Sequence, residues 1–130
     1  MNEQMKHYED KLKYEIDSSD LHQMIVNNEK IIVIDTRTEE FYNISHIPNS
    51  INIPHRIMNE KTTINLDRSY LYVTYCDGIG CNASTKGALN MLKLNFRVKE
   101  LLGGLDWWIR DGYETHGDNA GKKPKISCGC

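Results

Sequence analysis

Four cysteines carry most of the reactive chemistry in this 130-residue chain: Cys76 and Cys81 close together, and Cys128 and Cys130 near the end. Cys76 directly follows Tyr70-Leu71-Tyr72-Val73-Thr74-Tyr75, the strongest strand signal in the sequence, filled with aromatic and β-branched residues. Behind it run Asp77-Gly78-Ile79-Gly80-Cys81-Asn82 and then a helical pattern from Ala83 to Leu94. Backbone amides and a helix N-terminus favour negative charge at such a junction, and hence the thiolate, the nucleophilic form of cysteine. The two glycines are expected to wrap the loop and turn its amides inward. The same amides would hold a persulfide. The pattern therefore points to attack of Cys76 on a sulfur donor, then attack on the outer sulfur by an acceptor. The competing reading is a small, inert, buried residue closing a strand, since free cysteine is among the most buried residue types.

The other cysteines are weighed in the same way. Cys81 is a candidate resolving thiol, or a residue packed under the helix start; exposure separates the two. Cys128-Gly129-Cys130 is a candidate relay, a swinging sulfur acceptor, against an idle tail or one that pairs with another chain. Zinc sites favour two to four residues between paired cysteines; Cys76 and Cys81, with four between them, sit at the limit of that range and Cys128 and Cys130, with one, fall outside it, so the two pairs make a poor zinc set. No metal and no cofactor are expected. His46 has the chemistry of a general base, but proton transfer needs reach to the reacting atom, and a turn histidine is more simply structural.

The rest of the sequence must build the frame that presents Cys76. A formal net charge of −2 without a basic block argues against nucleic acid as a partner. No apolar run is long enough to cross a bilayer, and residues 1–17 have no apolar core like a signal peptide's. A cytoplasmic protein is expected, with no membrane partner and with reduced thiols kept for reactivity.

Met1, Met5, Tyr8 and Leu12 are spaced for a short amphipathic helix, and Tyr14-Glu15-Ile16 reads as an edge strand. Ser18-Ser19-Asp20 offers caps for a helix through Leu21, Met24, Ile25 and Val26. Ile31-Ile32-Val33-Ile34, with no polar alternation, fits a strand covered on both faces. Thr36 or Thr38 caps a turn through Tyr42, Ser50–Ile53 forms a short strand, and Arg97–Leu102 forms the next. Gly103-Gly104 then leads into a helix over Leu105–Arg110, of whose neighbouring tryptophans Trp107 and Trp108 one is core and the other partly exposed. Alternating strands and helices predict an α/β fold, a parallel sheet with helices on both faces, whose ligands bind beyond the carboxyl ends of the strands. The expected organisation is a helical extension over 1–13, one domain over 14–114 and a flexible tail over 115–130.

Four motifs in order give the chain a resemblance to the rhodanese-like domain of single-domain sulfurtransferases. Ile31–Ile34 with Asp35-Thr36-Arg37 is similar to that family's strand followed by D-x-R. Ser45-His46-Ile47-Pro48-Asn49-Ser50 resembles its G-H-I-P-G-A turn, with both glycines and the alanine changed. Tyr75-Cys76 and the loop resemble its catalytic segment, and Leu102-Gly103-Gly104-Leu105-Asp106-Trp107 its G-G-x-x-x-W element. The resemblance implies a five-stranded parallel sheet and a persulfide on Cys76. It also implies structural roles for an Asp35–Arg37 ion pair, for His46 and Pro48 in a turn, and for Gly103, Gly104 and Trp107. The partners implied are a sulfane-sulfur donor, thiosulfate or a persulfide, and a thiol acceptor, with a protein partner as a further candidate.

The loop departs from the family's C-x-x-G-x-R-S. It lacks the basic residue, is about two residues longer by comparison with that motif, and sets Asp77 beside the nucleophile, where a carboxylate opposes both a thiolate and a dianionic donor. A persulfide is therefore expected to be a better donor than thiosulfate. Two alternatives remain: a non-catalytic interaction module on the same fold, and a thiol-disulfide redox protein using Cys76 and Cys81.

Overall fold

The structure is a computed structural model that describes residues 2–120. Asn2 opens helix α1 (Glu3–Tyr14), its side chain accepting the Met5 N–H at 2.8 Å, and Lys6–Asp10 and Lys11–Glu15 pairs one turn apart support its length. Strand β1 (Glu15–Ile16) follows directly, and helix α2 (Ser18–Val26) starts at Asp17, one residue before the caps expected from sequence. The Asp17 carboxylate accepts the Asp20 N–H at 2.8 Å, and an aspartate there also complements the helix dipole.

Strand β2 (Ile31–Asp35), helix α3 (Glu39–Ile44), strand β3 (Ile51–Asn52), strand β4 (Leu71–Tyr75), helix α4 (Ala83–Lys93), strand β5 (Arg97–Leu101) and helix α5 (Gly104–Arg110) complete the order, with a single 3-10 turn at His55–Ile57. The sheet is five-stranded and parallel throughout, in the order β1-β5-β4-β2-β3. The long, β-branched strands therefore lie in the middle and the two-residue strands at the edges.

Alternation along the central strands sends side chains to two separate cores. Val33, Val73, Tyr75 and Leu101 meet Leu21 of α2 and Leu105 and Trp108 of α5 on one face. Ile34, Tyr72 and Phe96 meet Met91 of α4 on the other. Trp108 is 2% exposed and Trp107 45%, so the tryptophan assigned to the structural motif is corrected: Trp108 fills the core. Its indole N–H donates to the Glu114 carbonyl at 2.8 Å, which satisfies the polar end of a buried ring. Trp107 instead packs over Gly103, whose positive φ of 77° begins the helix.

The flexible tail expected from residue 115 is also corrected for its first part. His46 and His116 exchange backbone hydrogen bonds of 2.9 Å, and the amides of Asp118 and Asn119 bind the carbonyls of Asn43 and Ile44 at the end of α3. Thr115 to Ala120 thus belong to the domain. Cys128 and Cys130 lie outside the described residues. No helix among the described residues is long and apolar enough to cross a membrane.

Tyr75 joins the central strand to the Ser45–Ser50 turn. Its ring is fully buried, and its hydroxyl accepts the Ile47 N–H at 3.1 Å and lies 3.3 Å from Ser50 Oγ. Burial and the charge of Asp35 push its phenol well above the ordinary tyrosine value, so it stays neutral at pH 7. Tyr75→Phe leaves the Ile47 N–H without this acceptor and is expected to cost about 1–3 kcal/mol, read as a lower urea midpoint at unchanged slope.

Candidate active site

The carboxyl ends of β2 and β4 are tied together just before Cys76. The Tyr75 carbonyl accepts the backbone N–H of Thr36 at 3.0 Å and its hydroxyl at 2.7 Å. Arg37 then anchors three segments at once. Its Nε and Nη2 grip Asp35, Nη2 at 2.7 Å; Nη2 also reaches the Ser45 carbonyl at 2.6 Å, and Nη1 donates to Asp77 at 2.8 Å. The side chains of Arg37 and Asp35 are 3% and 0% exposed, and that of Asp77 11%. Burial works against the guanidinium charge, but the hydrogen bonds and charge of Asp35, and then Asp77, outweigh it and hold Arg37 protonated well above its already high ordinary value. The expected Asp35–Arg37 pair is present. Its extension to Asp77 was not legible, because the two lie 40 residues apart.

This extension corrects the expectation for Asp77. The carboxylate expected to oppose a thiolate turns into the ion network, where the guanidinium compensates it.

Helix α5 fixes the other side of the loop. The N–H of Leu105 donates to the Cys76 carbonyl at 2.9 Å and that of Asp106 to the Asp77 carbonyl at 2.8 Å. So close an approach leaves no room for a side chain at Gly104, where a Cβ would collide with the Cys76 carbonyl oxygen and the Gly78 amide. The essential glycines are therefore Gly103 and Gly104, both at positive φ, while Gly78 and Gly80 adopt ordinary backbone angles. Gly78 packs against Asp106, and Ile79 and Gly80 form an exposed tip, with the Cys81 N–H closing the turn onto the Gly78 carbonyl at 3.1 Å.

Cys76 is a free thiol, 1% exposed, whereas Cys81 is disulfide-bonded. The Cys76–Cys81 disulfide of the redox alternative is therefore not formed here, and Cys81 must be reduced before it can act as a resolving thiol. The neighbours of Sγ are oxygens: the Cys81 carbonyl at 3.1 Å, Ser84 Oγ at 3.5 Å and the Gly78 carbonyl at 3.8 Å. Two carbonyls of the long loop thus fold over the sulfur, and the hydroxyl oxygen of Ser84 joins them. Gly78, Cys81 and Ser84 also line a cavity of about 400 Å³ with Glu15, Asn82, Thr85 and Glu100. Sulfur thus lies just beneath a cavity whose charged lining, among the described residues, is the two glutamates.

His46 stacks on Tyr42 at 3.9 Å between ring centroids, and its Nδ1 lies 2.7 Å from the Tyr42 carbonyl, so it shapes the turn ahead of β3 together with Pro48. Ser84, Thr85 and Glu100 were missed by sequence reasoning. One signal pointed to Glu100: it lies one residue before the end of β5, beside β4, where the carboxyl-end rule places ligands.

The family model for the rhodanese-like domain matches residues 17–111. The chain belongs to this family. The rhodanese-like fold is shared with the BH2092 protein of Bacillus halodurans, 42% identical over 97% of this chain and 92% of that one, with a TM-score of 0.91. A rhodanese-related protein of Thermoplasma volcanium is 29% identical over 79% of this chain and 97% of its own, with a TM-score of 0.68. An uncharacterised Buchnera aphidicola protein is 36% identical over 64 residues, 48% of this chain and 44% of that protein, so the match spans less than half of that relative. Thiosulfate sulfurtransferase of Pseudomonas aeruginosa shares the fold at 17% identity, covering 88% of this chain and 22% of that one, with a TM-score of 0.72.

The rhodanese-like loop here depends on Arg37, and the two ends of its network are unequal. Arg37→Met strands the fully buried Asp35 and is expected to cost about 3–5 kcal/mol, seen in chemical denaturation. Asp77→Asn keeps the Asp35 pair and is expected to cost roughly 1 kcal/mol.

Proposed function

We propose that this protein is a sulfurtransferase that carries sulfane sulfur as a persulfide on Cys76. The observation that carries the reading is a free thiol at the carboxyl end of the central strand of a rhodanese-like domain, directly under a cavity. The thiolate of Cys76 attacks the outer sulfur of a donor; a Cys76 S–S bond forms, the donor's bond to that sulfur breaks, and the donor leaves with the electron pair. An acceptor thiolate then attacks the same outer sulfur and Cys76 leaves as thiolate. No net oxidation occurs, and the proton lost by Cys76 returns through solvent to the departing group.

The donor preferred on this reading is a thiol persulfide. Thiosulfate is a dianion, and the cavity presents Glu15 and Glu100 to it with no cation among the described lining residues. Like charges in a partly desolvated site repel strongly enough to matter. A buried thiol also requires the Gly78–Asn82 segment to lift before a donor reaches Sγ.

Mass spectrometry of the fully reduced chain tests the reading. Incubation with a thiol persulfide is expected to add one sulfur atom at Cys76, removed by cyanide and absent in Cys76→Ser. Loading from thiosulfate is expected to be slower on the order of tenfold, as electrostatic repulsion of a dianion implies. No adduct from any donor, with binding to a partner unchanged in Cys76→Ser, would establish the interaction module instead.

A further inference from the structure

The sulfur-transfer scheme uses Glu100 only as a charge in the cavity wall, yet this residue also binds the hydroxyl of Ser84, 3.5 Å from the sulfur. Glu100 Oε2 accepts hydrogen bonds from Ser84 Oγ and Thr85 Oγ1, each at 2.6 Å. A serine hydroxyl has one hydrogen, and here it is committed to the carboxylate. Ser84 Oγ therefore turns only lone pairs toward Cys76 Sγ, 3.5 Å away. It accepts from a thiol but has nothing to donate to a thiolate or a persulfide. The Cys81 carbonyl at 3.1 Å makes the same demand on the sulfur.

The groups facing Glu100 reinforce this arrangement. Thr74 of β4 and Glu15 of β1 are its register partners on either side. Thr74 gives its hydroxyl to the Ser84 carbonyl at 3.0 Å, which pins the start of α4. Glu15 is paired with Lys11 of α1 at 3.2 Å and adds a second carboxylate to the cavity lining. The α4 side contributes the two hydroxyls.

We propose that Glu100, acting through Ser84, is the positioning residue that holds Cys76 as the resting thiol and releases it when a cationic group of the incoming substrate takes over the carboxylate. With Glu100 so engaged, the Ser84 hydroxyl rotates and donates to sulfur, and the thiol proton passes to solvent base. The substrate class follows: a sulfur compound with an ammonium a few bonds from its sulfur, an aminothiol or its persulfide. This deepens the sulfur-transfer reading and rests on it for the substrate, but the hydrogen-bond switch is testable without any sulfur donor.

The test follows iodoacetamide alkylation of Cys76 against pH in the reduced full chain, with the modified site identified by mass spectrometry. Glu100→Gln is expected to speed alkylation at pH 7 by about three- to tenfold and to move the midpoint of the rate–pH curve to lower pH, by up to roughly one pH unit for a tenfold gain in thiolate. Glu100→Asp, which keeps the charge but withdraws it from Ser84, is expected to speed it as well. In a Ser84→Ala background the same substitution is expected to change the rate by less than about twofold, the mark of an effect routed through the hydroxyl. An unchanged or slower rate in both Glu100 variants overturns the proposal, as does an equal acceleration without Ser84. In transfer assays the wild-type chain is expected to prefer cysteamine persulfide over mercaptoethanol persulfide and to lose that preference in Glu100→Gln; no preference overturns the substrate assignment. Failure of all persulfides to load Cys76 would end the sulfur-transfer reading while leaving the alkylation result standing.

Discussion

One buried guanidinium holds the working end of this molecule together. Arg37 joins the end of β2 to the loop after β4 and to the turn at Ser45, adding side-chain links where the β2–β4 ladder runs out. Arginine suits the task because its planar fork donates in several fixed directions and keeps its charge in a buried setting. The cost of desolvating it is offset only because Asp35 and Asp77 both answer it. The loop that carries Cys76 is therefore positioned from one side by ion pairs and from the other by the first amides of α5. Backbone carbonyls of Cys76 and Asp77 are consumed in the second set of contacts, which fixes the loop at its root.

That division explains why the sulfur is at once well placed and poorly exposed. The root of the loop sets Cys76 at the carboxyl end of the sheet, where a parallel α/β fold gathers its ligands. The extra length beyond it folds carbonyl oxygens back over Sγ. Residues 78–82 therefore cover the sulfur from above, and the hydroxyl of Ser84 lies beside it.

The fold was largely legible because its signals are local. Dense β-branched runs at Ile31–Ile34 and Tyr70–Tyr75 announced central strands, and helical spacing announced α2 and α4. Cys76 stood out for the same reason, at the end of the strongest strand. What stayed hidden depended on distant partners. Asp77 looked like an electrostatic obstacle until Arg37, far away in sequence, proved to be its partner. The loop glycines suggested that the backbone wraps the sulfur, but a glycine permits many conformations and specifies none, so the carbonyls of Gly78 and Cys81 over Sγ could not be foreseen. Trp107 and Trp108 were correctly split between surface and core, yet only packing against α2 and Tyr113 decided which was which. The anchoring of residues 115–120 arises from a bridge between His46 and His116, invisible in a stretch rich in turn formers.

The placement of the shortest strands has a consequence for how the molecule behaves in company. Both borders of the sheet are two-residue strands, β1 and β3, so each exposes only a brief ladder of open amides and carbonyls. A foreign strand seeking to extend the sheet finds almost nothing to pair with. The long apolar strands, which would template such pairing, are sealed in the interior. A crowded solution of this protein is thereby guarded from edge-to-edge association by the shortness of its border strands.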